Sequence, residues 1–210
     1  MAGVLCSMLG STTVVQRTAR NGVTQNIGTI STTRSKFGSS SYQNSRIIYD
    51  RPELSGDWTF EAWTFQTARG NIPTVFADYI SFYINSSGFP GYFSGGNFAG
   101  SIQVSLNVWN HIAYTRSGTN FRIWVNGNLA GTWTNSVAFP AYSVAGIGGY
   151  NNDNSNNWNG WLDEARVSNV ERYTAAFTPP TTAFTNDSNT IILYHFEGAN
   201  GSTTITDDNS

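Results

Sequence analysis

The chain has 210 residues and a formal net charge of −2; only 11% of residues are charged, 14% are aromatic, and Gly, Ser, Thr and Asn fill the intervals. That composition suits many short strands joined by tight turns, in one domain large enough to bury roughly 70% of its unfolded surface, and lacks the Ala, Leu, Glu and Lys that helices call for. The 11 Lys and Arg are scattered without a basic stripe, which argues against nucleic acid as a partner, and no apolar run is long enough to span a bilayer.

In chain order, residues 1–9 are apolar but lack a basic flank and a small-residue cleavage site, so they read as part of the mature protein. Cys6 is the single cysteine, which leaves the fold to packing alone and reads as a small hydrophobe. A strand is expected at 46–49 and a helical turn at 51–54. Residues 58–65 carry the clearest period: Trp58, Phe60 and Ala62 alternate with Glu61, Trp63 and Phe65, as in a central strand covered on both faces. Further strands are expected at 74–79, 81–84, 101–106, 111–116, 121–125, 129–133, 144–149, 161–167 and 191–196. Ser87-Gly88 and Gly95-Gly96 mark reversals, and Asn126-Gly127 between two aromatic runs predicts a type I′ hairpin. Residues 151–157, NNDNSNN, form a polar loop, 171–176 suit a second helical turn, and 178–189 form a proline-stiffened connector to the last strand. About a dozen short strands at this spacing imply an all-β fold of two stacked antiparallel sheets.

The blocks WNHIA (109–113), RIWVNGNLAG (122–131), GIGGY (146–150) and GWLDEARVS (160–168) appear in an order that resembles the laminin-G-like jelly-roll domains of the concanavalin A-like lectin and glucanase superfamily. SKFGSSSY and DWTFEAWTF upstream resemble the start of such a sandwich, and ARVSNVERYTAAFTPPTTAF resembles the exit segment of phage members. The resemblance covers nearly all of residues 1–210, taken as one domain, and implies a two-sheet jelly roll used for adhesion, carbohydrate or protein binding, or virion decoration. A segment like TIILYHFEGANGSTTITDDNS begins the family's domains but lies at 190–210 here, which the resemblance reads as a permuted domain or as the start of a second repeat. It is expected to complete the sandwich or to swap into a neighbouring chain.

The family includes glycoside hydrolases, whose paired carboxylates stand on alternate positions of one strand, about 6–7 Å apart. No strand here carries that pair: Asp57 and Glu61 are four residues apart, and Asp163 and Glu164, as neighbours, are expected on opposite faces. Glu61 and Glu164 fall where the family has structural acids, and His111, inside a strand, reads as a hydrogen-bonded structural residue. With His195 far away in sequence, the two histidines form no metal motif. The chain is therefore read as non-enzymatic, with no required cofactor.

Calcium is the one metal with a candidate set, the hard oxygen ligands Asp153, Asn154, Asn157 and Asp163; the alternative is a plain solvated loop. For a sugar, Tyr150, Asn152, Asp153, Asn157 and Trp158 are the candidate platform, whereas Trp161 reads as core or subunit packing. The leading expectation is a virion-surface structural protein, such as a phage capsid decoration protein, made in the host cytoplasm, that contacts other virion proteins or copies of itself. The alternative is an extracellular carbohydrate-binding module that recognises a host-surface glycan.

Overall fold

A computed structural model describes residues 23–49, 54, 56–70, 72–77, 80–136, 145–150 and 156–209. Among these residues there is no helix, and fifteen strands follow one another: β1 (Val23–Asn26), β2 (Thr29–Ser31), β3 (Ser41–Gln43), β4 (Ile47–Tyr49), β5 (Trp58–Gln66), β6 (Thr74–Ala77), β7 (Ser81–Ile84), β8 (Pro90–Phe93), β9 (Asn97–Ala99), β10 (Trp109–Ser117), β11 (Asn120–Val125), β12 (Asn128–Thr134), β13 (Ala145–Ile147), β14 (Gly160–Ser168) and β15 (Thr190–Tyr194). They form two antiparallel sheets. The seven-stranded sheet has the order β1-β4-β13-β6-β7-β8-β9, and the eight-stranded one β12-β11-β10-β5-β14-β3-β2, with β15 beside β14 next to β3.

The two sheets enclose a core of Trp58, Phe60, Phe76, Phe82, Tyr92, Tyr114 and Ile123 with their neighbours. Trp58 alone meets Phe60, Phe82 and Phe121 edge-on at 5.2–5.5 Å, the arrangement that the ring quadrupoles favour. All nine residues of β5 are buried, as the aromatic character of both its faces requires. Asn126 and Gly127 have φ of 49° and 78°, the two positive values of a type I′ turn. A Cβ on Gly127 would also run into the Phe177 carbonyl oxygen. Gly127→Ala is therefore expected to cost about 2 kcal/mol and to lower Tm by roughly 4–8 °C in a thermal melt.

Four expectations are corrected. Residues 101–106 are not a strand, because their polar groups are shared out: Ser101 N–H donates to Ala130, Val104 N–H to Gly88, and Arg69 to the Val104 carbonyl. Residues 171–176 are not helical, because Arg172 forks onto Asp187 (2.8 and 2.9 Å) and Tyr173 reaches Glu61, which keeps the segment spread over the sheet. The last strand ends at Tyr194; Phe196, at φ 57°, turns aside to stack on Tyr42 at 5.3 Å. Asp163 and Glu164 do not face opposite ways, because a register shift between Asp163 and Arg166, with Glu164 at φ 53°, brings both carboxylates to the outer side of β14. Residues 51–53 of the first helical turn, with Tyr79 and Val144, lie outside the described residues.

Candidate functional site

Side chains on β5 alternate, so Trp58, Phe60 and Ala62 enter the main core while Glu61, Trp63 and Phe65 face outward. The antiparallel register then aligns them in rows across the eight-stranded sheet. Phe65 lies opposite Trp109 of β10 on one side and Trp161 of β14 on the other, and the row runs on through Gln43 and Thr29. Its ring centroids are 5.6 Å apart at both steps. The next row holds His111, Trp63 and Asp163, and the one after it Ala113, Glu61 and Arg166.

The chain leaving β14 crosses back over the lower rows. Tyr173 and Phe177 stack at 3.6 Å, and with Phe184 they meet His111 edge-on at 5.7–6.1 Å. Beneath them Glu61 is completely buried. Burial alone would raise its carboxyl, but the His111 ring nitrogen at 3.1 Å, Arg166 at 2.7 Å and the donated Tyr173 hydroxyl at 2.6 Å outweigh that and hold it at about 2. Glu164 accepts the Phe184 amide (2.6 Å) and lies 2.8 Å from His195 Nδ1, whose pKa this carboxylate raises. Each histidine thus serves a different carboxylate, and both carboxylates anchor the covering segment to the sheet.

Asp163 anchors a different loop. The Lys36 and Phe37 amides donate to its Oδ2 at 2.6 and 3.2 Å, and the Glu164 amide to its Oδ1 at 2.9 Å. Burial pushes its carboxyl up to about 8 against the pull of those amides. The loop so fixed lays Lys36 over Trp63 (4.0 Å to the ring centroid) and Arg34 over Phe65 and Trp161 (4.5 and 5.1 Å). Trp109 and Trp161 stay half-exposed and Arg34 is exposed, so the accessible aromatic surface consists of these two indoles, with Phe65 buried between them.

The residues expected from sequence are placed differently. Asn152, Asp153 and Asn154 lie outside the described residues. Tyr150 is half-buried near Tyr83 of the seven-stranded sheet, whose hydroxyl is raised chiefly by burial and secondarily by Tyr150; Asn157 Oδ1 accepts from Arg46 at 3.4 Å. Trp158 is 2% exposed and donates Nε1–H to the Trp161 carbonyl at 3.2 Å, so it belongs to the core and offers no sugar platform. Trp161 has the half-exposed position instead. The calcium set loses Asp163, whose two oxygens are turned to three N–H donors, and Asn157 bonds to a different segment. Among the described residues no three His, Cys, Asp or Glu side chains gather as a metal site.

Residues 37–176 match the sequence pattern of the concanavalin A-like lectin/glucanases superfamily. No curated protein sequence matches the chain. Among solved structures, a Bacteroides ovatus protein assigned to carbohydrate binding is similar over 86% of this chain at 17% identity, with a TM-score of 0.66. The likeness covers 54% of that protein, so the chain spans about half its length. The CBM40 module of a Ruminococcus gnavus sialidase is similar over 64% of this chain and 91% of its own, at 14% identity and a TM-score of 0.52. Tailspike protein 2 of an Escherichia coli O157:H7 bacteriophage is similar over 71% of this chain and 25% of its own, at 15% identity and a TM-score of 0.55. At these identities the structural likenesses speak for the fold.

Proposed function

Because the chain belongs to the concanavalin A-like lectin/glucanases superfamily, we propose that it is a non-catalytic carbohydrate-binding protein whose sugar lies on the outer face of its eight-stranded sheet. The observation that carries this reading is the pair of half-exposed indoles Trp109 and Trp161 on either side of the buried Phe65 ring, each 5.6 Å from it and in a row that runs on to Gln43 and Thr29. Rings held rigid by a sheet offer a large amphipathic surface at little entropic cost, and nearby polar groups set orientation.

A non-catalytic role is supported by the state of the acids. Glycoside hydrolysis needs two carboxylates that reach the glycosidic oxygen and the anomeric carbon. Glu61 and Glu164 are enclosed and already bonded to His111, Arg166, Tyr173, Phe184 and His195, which leaves them structural. The chemistry of the row requires no metal.

Screening against an array of glycans tests the reading. Trp161→Ala is expected to weaken any hit about tenfold or more while the chain still melts in one cooperative transition, at a Tm lowered by the loss of the ring's packing on Phe65 and its hydrogen bond to Ser31. Addition of a chelator is expected to leave binding unaltered. An array without hits, or hits indifferent to both Trp161→Ala and Trp109→Ala, overturns it.

A setting on a virion surface, where the chain would meet other virion proteins or copies of itself, is a second reading. It is favoured by the similarity to a bacteriophage tailspike and is tested by labelling the source particle with antibody in electron microscopy.

A further inference from the structure

Arg34 and Lys36 are two positions apart on the loop that Asp163 pins to the sheet, and each lies over an aromatic ring of the outer face. Neither is matched by a carboxylate among the described residues: every ion pair there is made by other side chains. Asp163, directly under the loop, is turned to the backbone amides of Lys36, Phe37 and Glu164 and pairs with neither side-chain cation. Glu197 binds the neighbouring turn through Ser39 and Ser40 and pairs with neither cation. In a chain of formal net charge −2, two uncompensated positive charges therefore stand on one aromatic surface.

The Arg34 guanidinium makes no side-chain hydrogen bond among the described residues, although its position is set by Phe65 and Trp161. A planar cation held against rings has lost rotamer freedom before any ligand arrives. Its five N–H groups match the two oxygens of a carboxylate or a sulfate in a forked pair.

Resting on the carbohydrate-binding reading above, we propose that the ligand of the Trp109–Phe65–Trp161 row is an acidic glycan, with Arg34 as the anchor of its carboxylate or sulfate group and Lys36 as a second cation beside it. The half-exposed indoles of Trp109 and Trp161 take the apolar face of the sugar on either side of that anchor. A neutral sugar of the same shape leaves the guanidinium without an anion, so discrimination follows from charge rather than from ring stacking.

The test is an array of sialylated, uronic-acid and sulfated oligosaccharides, each beside its desialylated, carboxyl-reduced or desulfated counterpart, read with the wild-type protein, Arg34→Gln, the Arg34→Gln/Lys36→Gln pair and Trp109→Ala. The wild type is expected to prefer the acidic member of its best pair by about tenfold or more, and to lose that preference as salt rises from 0.05 to about 0.5 M. Arg34→Gln should bring the acid-to-neutral ratio close to one, whereas Trp109→Ala, which removes an indole that does not hold Arg34, should weaken both members together. Arg34 is exposed, so the melt of Arg34→Gln should overlay that of the wild type. Equal binding of acidic and neutral members overturns the acidic-glycan inference and leaves the aromatic platform standing. An acid preference that survives the double substitution places the anchor elsewhere and also overturns it. Absence of binding to every member overturns the platform reading with it.

Discussion

A chain lacking residues 189–210 is expected not to reach the native state. Those residues hold β15, which pairs with β14 inside the same chain at Ala165, Arg166, Val167 and Ser168. Ile192, Leu193, Tyr194 and Phe196 are each at most 2% exposed, with Tyr194 and Phe196 in the main core and Phe196 stacked on Tyr42. At about 1.5–3 kcal/mol per buried side chain they supply roughly 6–12 kcal/mol, comparable to the whole stability of an ordinary domain, about 5–15 kcal/mol. The residues beyond β15 also close two sheet edges. Ile30 of β2 exchanges backbone bonds with Gly201 and Ser202 at 2.8 and 2.9 Å, while the Asp208 amide and the Asp207 side chain bond the backbone of Leu193. Deletion therefore opens an apolar core and leaves unpaired backbone on β2 and β14. Circular dichroism melts and size-exclusion chromatography of the truncated chain should show loss of a cooperative transition and aggregation; an unchanged Tm in a monodisperse sample refutes the expectation.

The long strands were legible because nine residues with aromatic alternation admit one reading, as in β5. The strands β1, β2, β3, β8 and β9 were not, because three or four residues that include Thr, Gln, Gly or Asn carry too little period to tell a strand from a turn. The candidate site failed for a related reason. Phe65, Trp109 and Trp161 become neighbours only through the registers of two strand pairs, and nothing in their sequence separation announces this. The exchange of roles between Trp158 and Trp161 has the same origin: parity along β14 sends Trp161 outward, opposite Phe65, whereas Trp158 precedes the strand and folds into the core. The outward turn of Glu164 depends on a bulge, and adjacent residues in a regular strand predict the reverse. What a sequence does carry is the pair of cations in TTRSKF between β2 and β3, uninformative until Asp163 is seen to hold their loop.

Glu61→Gln is expected to destabilise the protein by about 3–5 kcal/mol at pH 7, the usual consequence of removing one partner from a buried ionic group. The carboxylate receives Arg166 and the Tyr173 hydroxyl and lies against His111; the amide that replaces it has one acceptor oxygen and an NH2 that faces donors. Arg166, 8% exposed, is then left without a counter-charge in the layer between the sheet and its cover. The pH dependence separates this from a simple packing defect. A carboxyl held at about 2 when folded, against an ordinary value of 4.5, stabilises the folded state by about 3 kcal/mol above pH 4.5, and that contribution is lost as pH falls from 4.5 through 2. The wild type should therefore lose stability steeply across that window and Glu61→Gln far less, so that their denaturant midpoints converge near pH 2. Asp187, held well below the usual carboxylate range by Arg172, titrates in the same window, and Asp187→Asn is the control that removes only its share. Asp163 acts in the opposite sense and in another window: with its carboxyl at about 8 when folded against 3.8 when unfolded, it costs stability as pH rises between those values and adds little slope below pH 3, where both states are protonated, and it does so in wild type and variant alike. Parallel acid limbs for wild type and Glu61→Gln would mean that the buried cluster of Glu61, His111, Arg166 and Tyr173 does not hold the covering segment electrostatically, and that its rings alone keep it on the sheet.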